Sequence, residues 1–288
     1  MTLNPETLIP ATIVIHTLNE QLNLPTALAS CSPFFQEVLV VDSGSIDATK
    51  AIAEEAGASV LELAGDRSTL VANRNHVLRT YPFATEWVFV LDADESITPA
   101  LRAEIAQVVT SETKMSGYWV CFENIFLGKW VRHSSIYPNW NLRLLKHRDL
   151  KYEDRKVNAH INVEDCNVGY LKNRFVHDDK RGIKSYLRKL SELVVLESDL
   201  RDSMTFVEVV GILNPSLSPN KRRRILKGIF QRLPGKPFLM FFYLYVWKLG
   251  FLDGRSGYYH CVFRSMVEAS MDMVRYETQL RETDKTNR

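Results

Sequence analysis

Four short apolar runs punctuate the first third of the chain, at residues 11–15, 38–41, 60–63 and 88–91. Each is rich in β-branched residues and too brief for an ordinary helix, and a fully apolar run of this length suits a strand covered on both faces. Helix signals separate them. Pro25 fits a first helical position, Asp47 caps a segment over 48–56 with Gly57 as its stop, and Thr98 with Pro99 opens a helix over 101–109. Strand and helix alternate, which predicts an α/β domain with a doubly wound, mostly parallel sheet and ligands at the carboxyl ends of its strands.

The pattern changes after about residue 115. Aromatic-rich strand candidates at 118–122 and 142–145 alternate with polar loops. Residues 182–200 then predict a helix, because Ile183, Leu187, Leu190 and Val194 recur at three- and four-residue steps. A basic cluster at Lys221, Arg222, Arg223 and Arg224 and a Pro-Gly break precede the segment PFLMFFYLYVWKLGFL. The chain therefore reads as an α/β half over 1–115, a second half of the same domain over 116–200, and a helical, partly amphipathic region over 201–288.

With 288 residues, 45% of them hydrophobic, the chain can build one large core or two modest ones. A formal charge of +2 gives no electrostatic case for nucleic acid as a partner. Cys31, Cys121, Cys166 and Cys261 stand far apart with no metal-ligand spacing, which suits free thiols in a reducing cytosol. The first twenty residues lack the basic start, apolar run and small-residue cleavage site of a signal peptide.

The candidate chemistry lies at the predicted strand ends. Thr17, Asn19 and Glu20 follow the first strand, Asp42, Ser43, Gly44 and Ser45 the second, and Asp92, Ala93 and Asp94 the fourth. Two carboxylates one residue apart can share a hard cation with diphosphate oxygens, although a DAD triplet also makes a turn and helix cap. The Asp42 carboxylate can accept from the imide N–H of a base, or organise its own loop as an Asx-turn. Arg74 can pair with a pyrophosphate through its planar fork, or lie on a solvated helix face.

TLNEQ, VVDSGSIDAT, ANRN and LDADE, in this order and at these intervals, resemble the inverting family 2 glycosyltransferases of the GT-A fold. The resemblance implies that Thr17, Asn19, Glu20, Asp42, Ser43 and Gly44 line a nucleotide pocket and that Arg74 meets the diphosphate. It also implies that Asp92, Ala93 and Asp94 form a DxD site, with both carboxylates on Mg2+ or Mn2+ and Asp94 central to catalysis. The donor it implies is a nucleotide-diphosphate sugar, a UDP-sugar foremost.

Downstream, IYPNWNLRLLK, RKVNAHINVE and GYLKNRFVHDD are similar to the bacterial branch that includes lipooligosaccharide inner-core β-glucosyltransferases. That branch reads YPxWxxRLF and then V-H-E or V-N-E-H. Val157, Asn158 and His160 match, while Ala159 stands in the place of the glutamate. An inverting enzyme needs a carboxylate to take the acceptor's proton. Glu153, Asp154 and Glu164 are the nearby alternatives, and an impaired or non-catalytic sugar-nucleotide-binding homologue is the competing reading. Trp140, Arg143 and His160 fall on the acceptor side, which the resemblance makes a saccharide or lipid-linked saccharide. Trp140 can equally be core, and His160 and His177 packed or surface histidines. A nucleotidyltransferase would open on a Gly-rich loop with an activating Arg or Lys, and TLNEQLN has neither.

The unbroken apolar run at 238–247 is too short for a spanning helix, which needs ~20 residues. Its Phe, Tyr and Trp content, with basic residues just upstream, suits a segment lying in a bilayer interface; a buried helix with a solvated basic loop has the same pattern. The expectation is a cytoplasmic chain, peripheral at the inner face of a membrane.

Overall fold

The computed structural model describes residues 8–63, 70–135, 137–149, 151–152, 161–162, 166–188, 190, 194 and 235–286. The chain divides into two units, one of residues 1–130 and 136–182, the other of 131–135 and 183–288.

The first unit is built on a nine-stranded sheet. Its opening strands are β1 (Ile9–Thr17), β2 (Phe35–Asp42), β3 (Ser59–Glu62) and β4 (Trp87–Asp92). After these come β5 (Glu95–Ile97), β6 (Gly117–Phe126), β7 (Lys129–Trp130), β8 (Trp140–Lys146) and β11 (Val168–His177). The order is β3-β2-β1-β4-β8-β6-β11-β5, with β7 beside β6. A separate two-stranded pair joins β9 (Lys151–Tyr152) to β10 (Ile161–Asn162).

All four apolar runs of the first third are strands, and β3, β2, β1 and β4 are mutually parallel. The second half is mixed: β8 is antiparallel to both β4 and β6, whereas β11 runs parallel to β6. The absence of clean strand-helix alternation after residue 115 has this cause, since antiparallel neighbours need no helical crossover.

Helices cover both faces, as the doubly wound reading requires. On one face α1 (Leu24–Cys31), α2 (Thr49–Glu55) and α4 (Pro99–Val109) bury Leu24, Leu28, Ala53, Leu101 and Ile105 against Ile13, Ile15, Phe89 and Phe175. On the other, α3 (Leu70–Thr80) sets Val77 and Leu78 against Val14, Val88 and Val90. Burying one such side chain contributes ~1.5–3 kcal/mol, so both apolar faces of the central strands add to the stability of the sheet. Thr98 caps α4 as expected, its Oγ1 accepting from Leu101 N (3.2 Å), whereas the N-cap of α2 is Ala48 and Asp47, one residue earlier, accepts from Thr49 N (3.0 Å).

Because β2 leaves β1 on one side and β4 leaves it on the other, the strand order reverses at β1. Thr17 pairs in register with Asp42, and His16 with Asp92. A parallel α/β sheet opens its ligand crevice at such a reversal, and the polar residues named above stand there.

In the second unit residues 131–135 form a bend, and the described residues from 183 onward are largely helical. Residues 183–188, 190 and 194 are helical, and Leu190 and Val194 pack with Val267 and Met271. The apolar segment forms α5 (Lys236–Phe242), a π-turn (Tyr243–Trp247) and a 3-10 turn (Gly250–Asp253) leading into the 33-residue α6 (Gly254–Thr286). The hairpin is tight. A Cβ on Gly257 would stand 2.3 Å from the Gly250 carbonyl oxygen, and one on Gly250 2.6 Å from that of Leu244. The buried Asp253 accepts from the N–H groups of His133 (2.9 Å) and Ser134 (2.7 Å) and from the Ser134 hydroxyl (2.9 Å), tying residues 131–135 to this unit. Among the described residues no helix is long and apolar enough to cross a membrane.

Candidate active site

The loops after β1 and β2 are knitted together. Asp42 is fully buried, and its Oδ1 accepts from the hydroxyls of Thr17 (3.0 Å) and Ser45 (2.5 Å). Its Oδ2 accepts from the N–H groups of Gly44 (3.1 Å) and Ser45 (2.7 Å). An ionised carboxylate offers about four acceptor positions, and all four are used here. Asp42 therefore organises its own loop, with Gly44 in the left-handed region at φ +90° and Ser43 N donating to the Thr17 carbonyl (3.0 Å). A base could reach the carboxylate only in exchange for one of these donors. Asn19, itself left-handed at φ +55°, donates its N–H to Ser45 Oγ (2.8 Å) and accepts from Ile46 N (2.9 Å), while Glu20 N donates to Thr49 Oγ1 (2.8 Å).

The end of β4 is held by charge. Asp92 Oδ1 accepts from Arg74 Nη2 (2.7 Å) on α3, and Oδ2 from Arg143 Nη2 (3.0 Å) on β8. The same Arg143 nitrogen reaches Glu95 Oε1 at 2.5 Å, and Glu95 Oε2 accepts from Asp92 N (2.8 Å), closing the DADE turn over the buried Ala93. Burial opposes the charge on Asp92, but Arg143 and Arg74 together outweigh it and hold its pKa well below the usual carboxylate range. Glu95 goes the other way: burial, helped by the nearby Asp92, raises it to about 8 against the pull of Arg143. His16 is kept neutral, lowered to about 3 by burial and then by the charge of Arg74.

Asp94 faces a different group. Pairing of β5 with β11 sets Glu95 opposite His177, and His177 Nε2 comes within 3.6 Å of Asp94 Oδ2. Arg181 Nη2 is 3.8 Å from the same oxygen and its Nη1 donates to Glu20 Oε1 (2.8 Å), while Nε and Nη2 hold Asp179 (both 2.8 Å). Asn23, 1% exposed, braces the loop from below by donating to Glu20 Oε2 (2.8 Å) and Asp179 Oδ1 (3.1 Å) and accepting from Lys180 N (2.7 Å). Three segments far apart in the chain thus converge on Asp94.

Among the described residues no three His, Cys, Asp or Glu side chains are grouped closely enough to hold a metal ion by themselves. Asp94 and His177 nevertheless present one carboxylate oxygen and one imidazole nitrogen side by side. That mixed donor set of carboxylate oxygen and imidazole nitrogen fits a borderline divalent ion.

Of the residues assigned to the acceptor side, Arg143 is buried at 8% exposure, and its guanidinium faces Asp92 of the DxD turn and the neighbouring Glu95 instead. Trp140 is 38% exposed and packs edge-on against Tyr170 (5.0 Å between centroids), which stacks in turn on Trp119 (6.5 Å). Glu153, Asp154, Ala159, His160 and Glu164 lie outside the described residues. His16, Asn23, Asp179 and Arg181 were not singled out by sequence, whereas Glu95 stands in the DADE turn after the fourth strand. The signal for Asp179 and Arg181 is their position straight after His177 in VHDDKR.

A model of the family described as Glycosyl transferase family 2 matches residues 12–170, more than half of the chain. The lipopolysaccharide core biosynthesis glycosyltransferase LpsC of Rhizobium meliloti is 26% identical over 165 residues, 56% of this chain and 60% of that protein. An uncharacterized glycosyltransferase of Rickettsia felis is 33% identical over 108 residues, 35% of this chain and 34% of that one. The matches thus span 60% of the first relative's length and about a third of the second's. Among solved structures, Staphylococcus aureus TarS residues 1–349 align at 14% identity and a TM-score of 0.42, covering 92% of this chain and 91% of that one. The glucosyl-3-phosphoglycerate synthase of Mycobacterium tuberculosis, solved with Mn2+ and UDP-glucose, aligns at 19% identity and a TM-score of 0.31 over 39% of this chain and 43% of that one. With the family model matched over the whole span from β1 into β11, the chain belongs to glycosyl transferase family 2.

Proposed function

We propose that this chain transfers a hexose, with inversion, from a nucleotide-diphosphate sugar to a saccharide or lipid-linked saccharide acceptor in cell-envelope glycan synthesis, at the cytoplasmic face of a membrane. A UDP-sugar is the first donor to test. The observation that carries the reading is the convergence of Thr17 and Asp42, Arg74 and Asp92, and Asp94 and His177 on one sheet edge inside a family 2 domain.

Asp92 and Asp94 of the DxD turn would hold a Mg2+ or Mn2+ ion, with the His177 imidazole beside Asp94 favouring Mn2+, and the ion when bound supplies positive charge beside the departing diphosphate. The chain's own groups do the rest. Arg74 and Arg181 stand on either side of the DxD turn with guanidinium forks suited to phosphate oxygens, so exchange from Asp92 or Glu20 to the donor would orient it. Thr17, Asn19 and the Asp42 loop form the wall on which a base would rest. Arg143, fixed between Asp92 and Glu95, keeps the turn in shape whether or not a donor is present.

The proton of the acceptor hydroxyl must go to a carboxylate, for which Glu153, Asp154 and Glu164 are the candidates beside Ala159. If Ala159 marks a lost base, Ala159→Glu raises transfer by roughly 10²- to 10⁴-fold; if Asp154 already serves, that substitution does little and Asp154→Asn abolishes transfer. The test is release of nucleotide from a panel of UDP-hexoses with bacterial membranes as acceptor, with Mn2+ and then with excess EDTA. Turnover lost on chelation supports the proposal. Donor binding with no turnover, even for Ala159→Glu, would instead establish a sugar-nucleotide-binding protein.

A further inference from the structure

The hairpin of α5 and α6 exposes large apolar side chains in a density that a water-facing surface does not need. Phe238 is 82% exposed and Trp247 80%, with Phe242, Val246, Phe251 and Leu252 between 43% and 65%. A contiguous apolar patch of this kind marks an interaction surface. From residue 236 to 267 the only acid is Asp253, which is buried and taken by His133 and Ser134, whereas Lys248, Arg255 and Arg264 are cationic. The surface is therefore apolar and positive together, the complement of an anionic bilayer interface, where apolar side chains insert and cations meet the headgroups.

Within this surface lies a cavity of about 470 Å³ lined by Tyr245, Phe251, Gly254, Arg255, Tyr258 and Tyr259. Its walls are edge-on aromatic pairs, Tyr245 with Phe251 (6.2 Å between centroids) and with Tyr258 (5.8 Å). Arg255 is the one cation of the lining. Aromatic walls suit a glyceryl unit and the first carbons of an acyl chain, and a guanidinium fork suits the two free oxygens of a phosphodiester. The geometry points to a binding site for the headgroup of an anionic phospholipid, with Arg255 on the phosphate, so that this unit selects lipid charge as well as inserting apolar side chains. The inference rests on the membrane reading above.

The test is co-sedimentation of the full chain with vesicles of phosphatidylcholine alone and of phosphatidylcholine mixed with phosphatidylglycerol. The wild type prefers the anionic vesicles. Arg255→Ala lowers that preference about fivefold, the effect expected of one basic residue at an anionic surface. Arg281→Ala removes the same charge from the far end of α6 and leaves the preference unchanged. Trp247→Ala weakens binding to both vesicles alike. Equal losses for Arg255→Ala and Arg281→Ala, or no loss for either, overturn the headgroup site. Equal wild-type binding to both vesicles overturns it while leaving the membrane reading in place, and wild-type binding to neither removes both.

Discussion

Asp42 and Asp92 occupy equivalent places, each the last residue of a strand that flanks β1, and each is held by two oxygens, yet by different means. Asp42 is buried among hydroxyl and amide donors of its own and the neighbouring loop. Asp92 is gripped by guanidinium groups from α3 and β8. A carboxylate held by neutral dipoles keeps its negative charge for its own loop, whereas the charge of one held by two guanidinium groups is offset where it stands. Asp94 stands apart from both, facing His177 and Arg181, and is the carboxylate of the three nearest an imidazole.

If this division of roles is right, Asp94→Ala has the largest effect: transfer and metal-dependent nucleotide binding fall by about 10³-fold or more, with an unchanged melting temperature. Calorimetric titration with UDP and Mn2+ decides it, and undiminished metal-dependent binding would remove Asp94 from the metal site. Arg143→Ala tests the charged grip. It takes the buried donor from Glu95, whose side chain is 4% exposed, and from one oxygen of Asp92, so unfolding stability drops by roughly 1–3 kcal/mol for each of the two acceptors. A loss below about 1 kcal/mol in urea melts would mean that the cluster is far better solvated than its burial implies.

The neutral grip gives a smaller effect. Asp42→Ala deletes four hydrogen bonds to the loop and weakens nucleotide binding by roughly five- to a hundred-fold, corresponding to about 1–3 kcal/mol. Asp42→Asn separates loop order from base reading. The amide oxygen can still accept from Gly44 N and Ser45 N while the NH2 donates to the Thr17 and Ser45 hydroxyls, so unchanged affinity in Asn with loss in Ala would assign Asp42 to the loop alone.

A last test is a pH dependence. Glu95 is raised from 4.5 to about 8 in the folded chain. The unfolded chain thus releases this proton first as pH rises, so the contribution is full below pH 4.5, is lost between 4.5 and 8, and changes no further above that. Glu95→Gln cannot titrate, and its stability relative to the wild type should increase from pH 5 to pH 8 in urea melts. A constant difference across that range would show that Arg143 keeps Glu95 ionised.

Much of this was legible in the chain. The run VFVL followed by DADE, and VLVV followed by DSGS, announce strand ends that carry polar loops, because a strand buried on both faces admits no polar residue until it leaves the sheet. The partners of those loops were less legible. RLLK reads as the amphipathic start of a strand, and nothing in it says that Arg143 turns inward to two carboxylates 48 and 51 residues earlier. VHDDKR gives no hint that β11 lies beside β5, the pairing that carries His177 to Asp94.

By itself the sequence determined the apolar runs, their caps and the order of polar loops, since these follow from residue-level preferences that act within a few positions. It determined equally that 238–247 is apolar and too short to span a bilayer. Only the tertiary structure decided which carboxylate meets cations, which meets an imidazole and which serves its own loop. Those outcomes depend on contacts across 18 to 161 residues of chain, formed once strand order and register are set by burial of the two sheet faces.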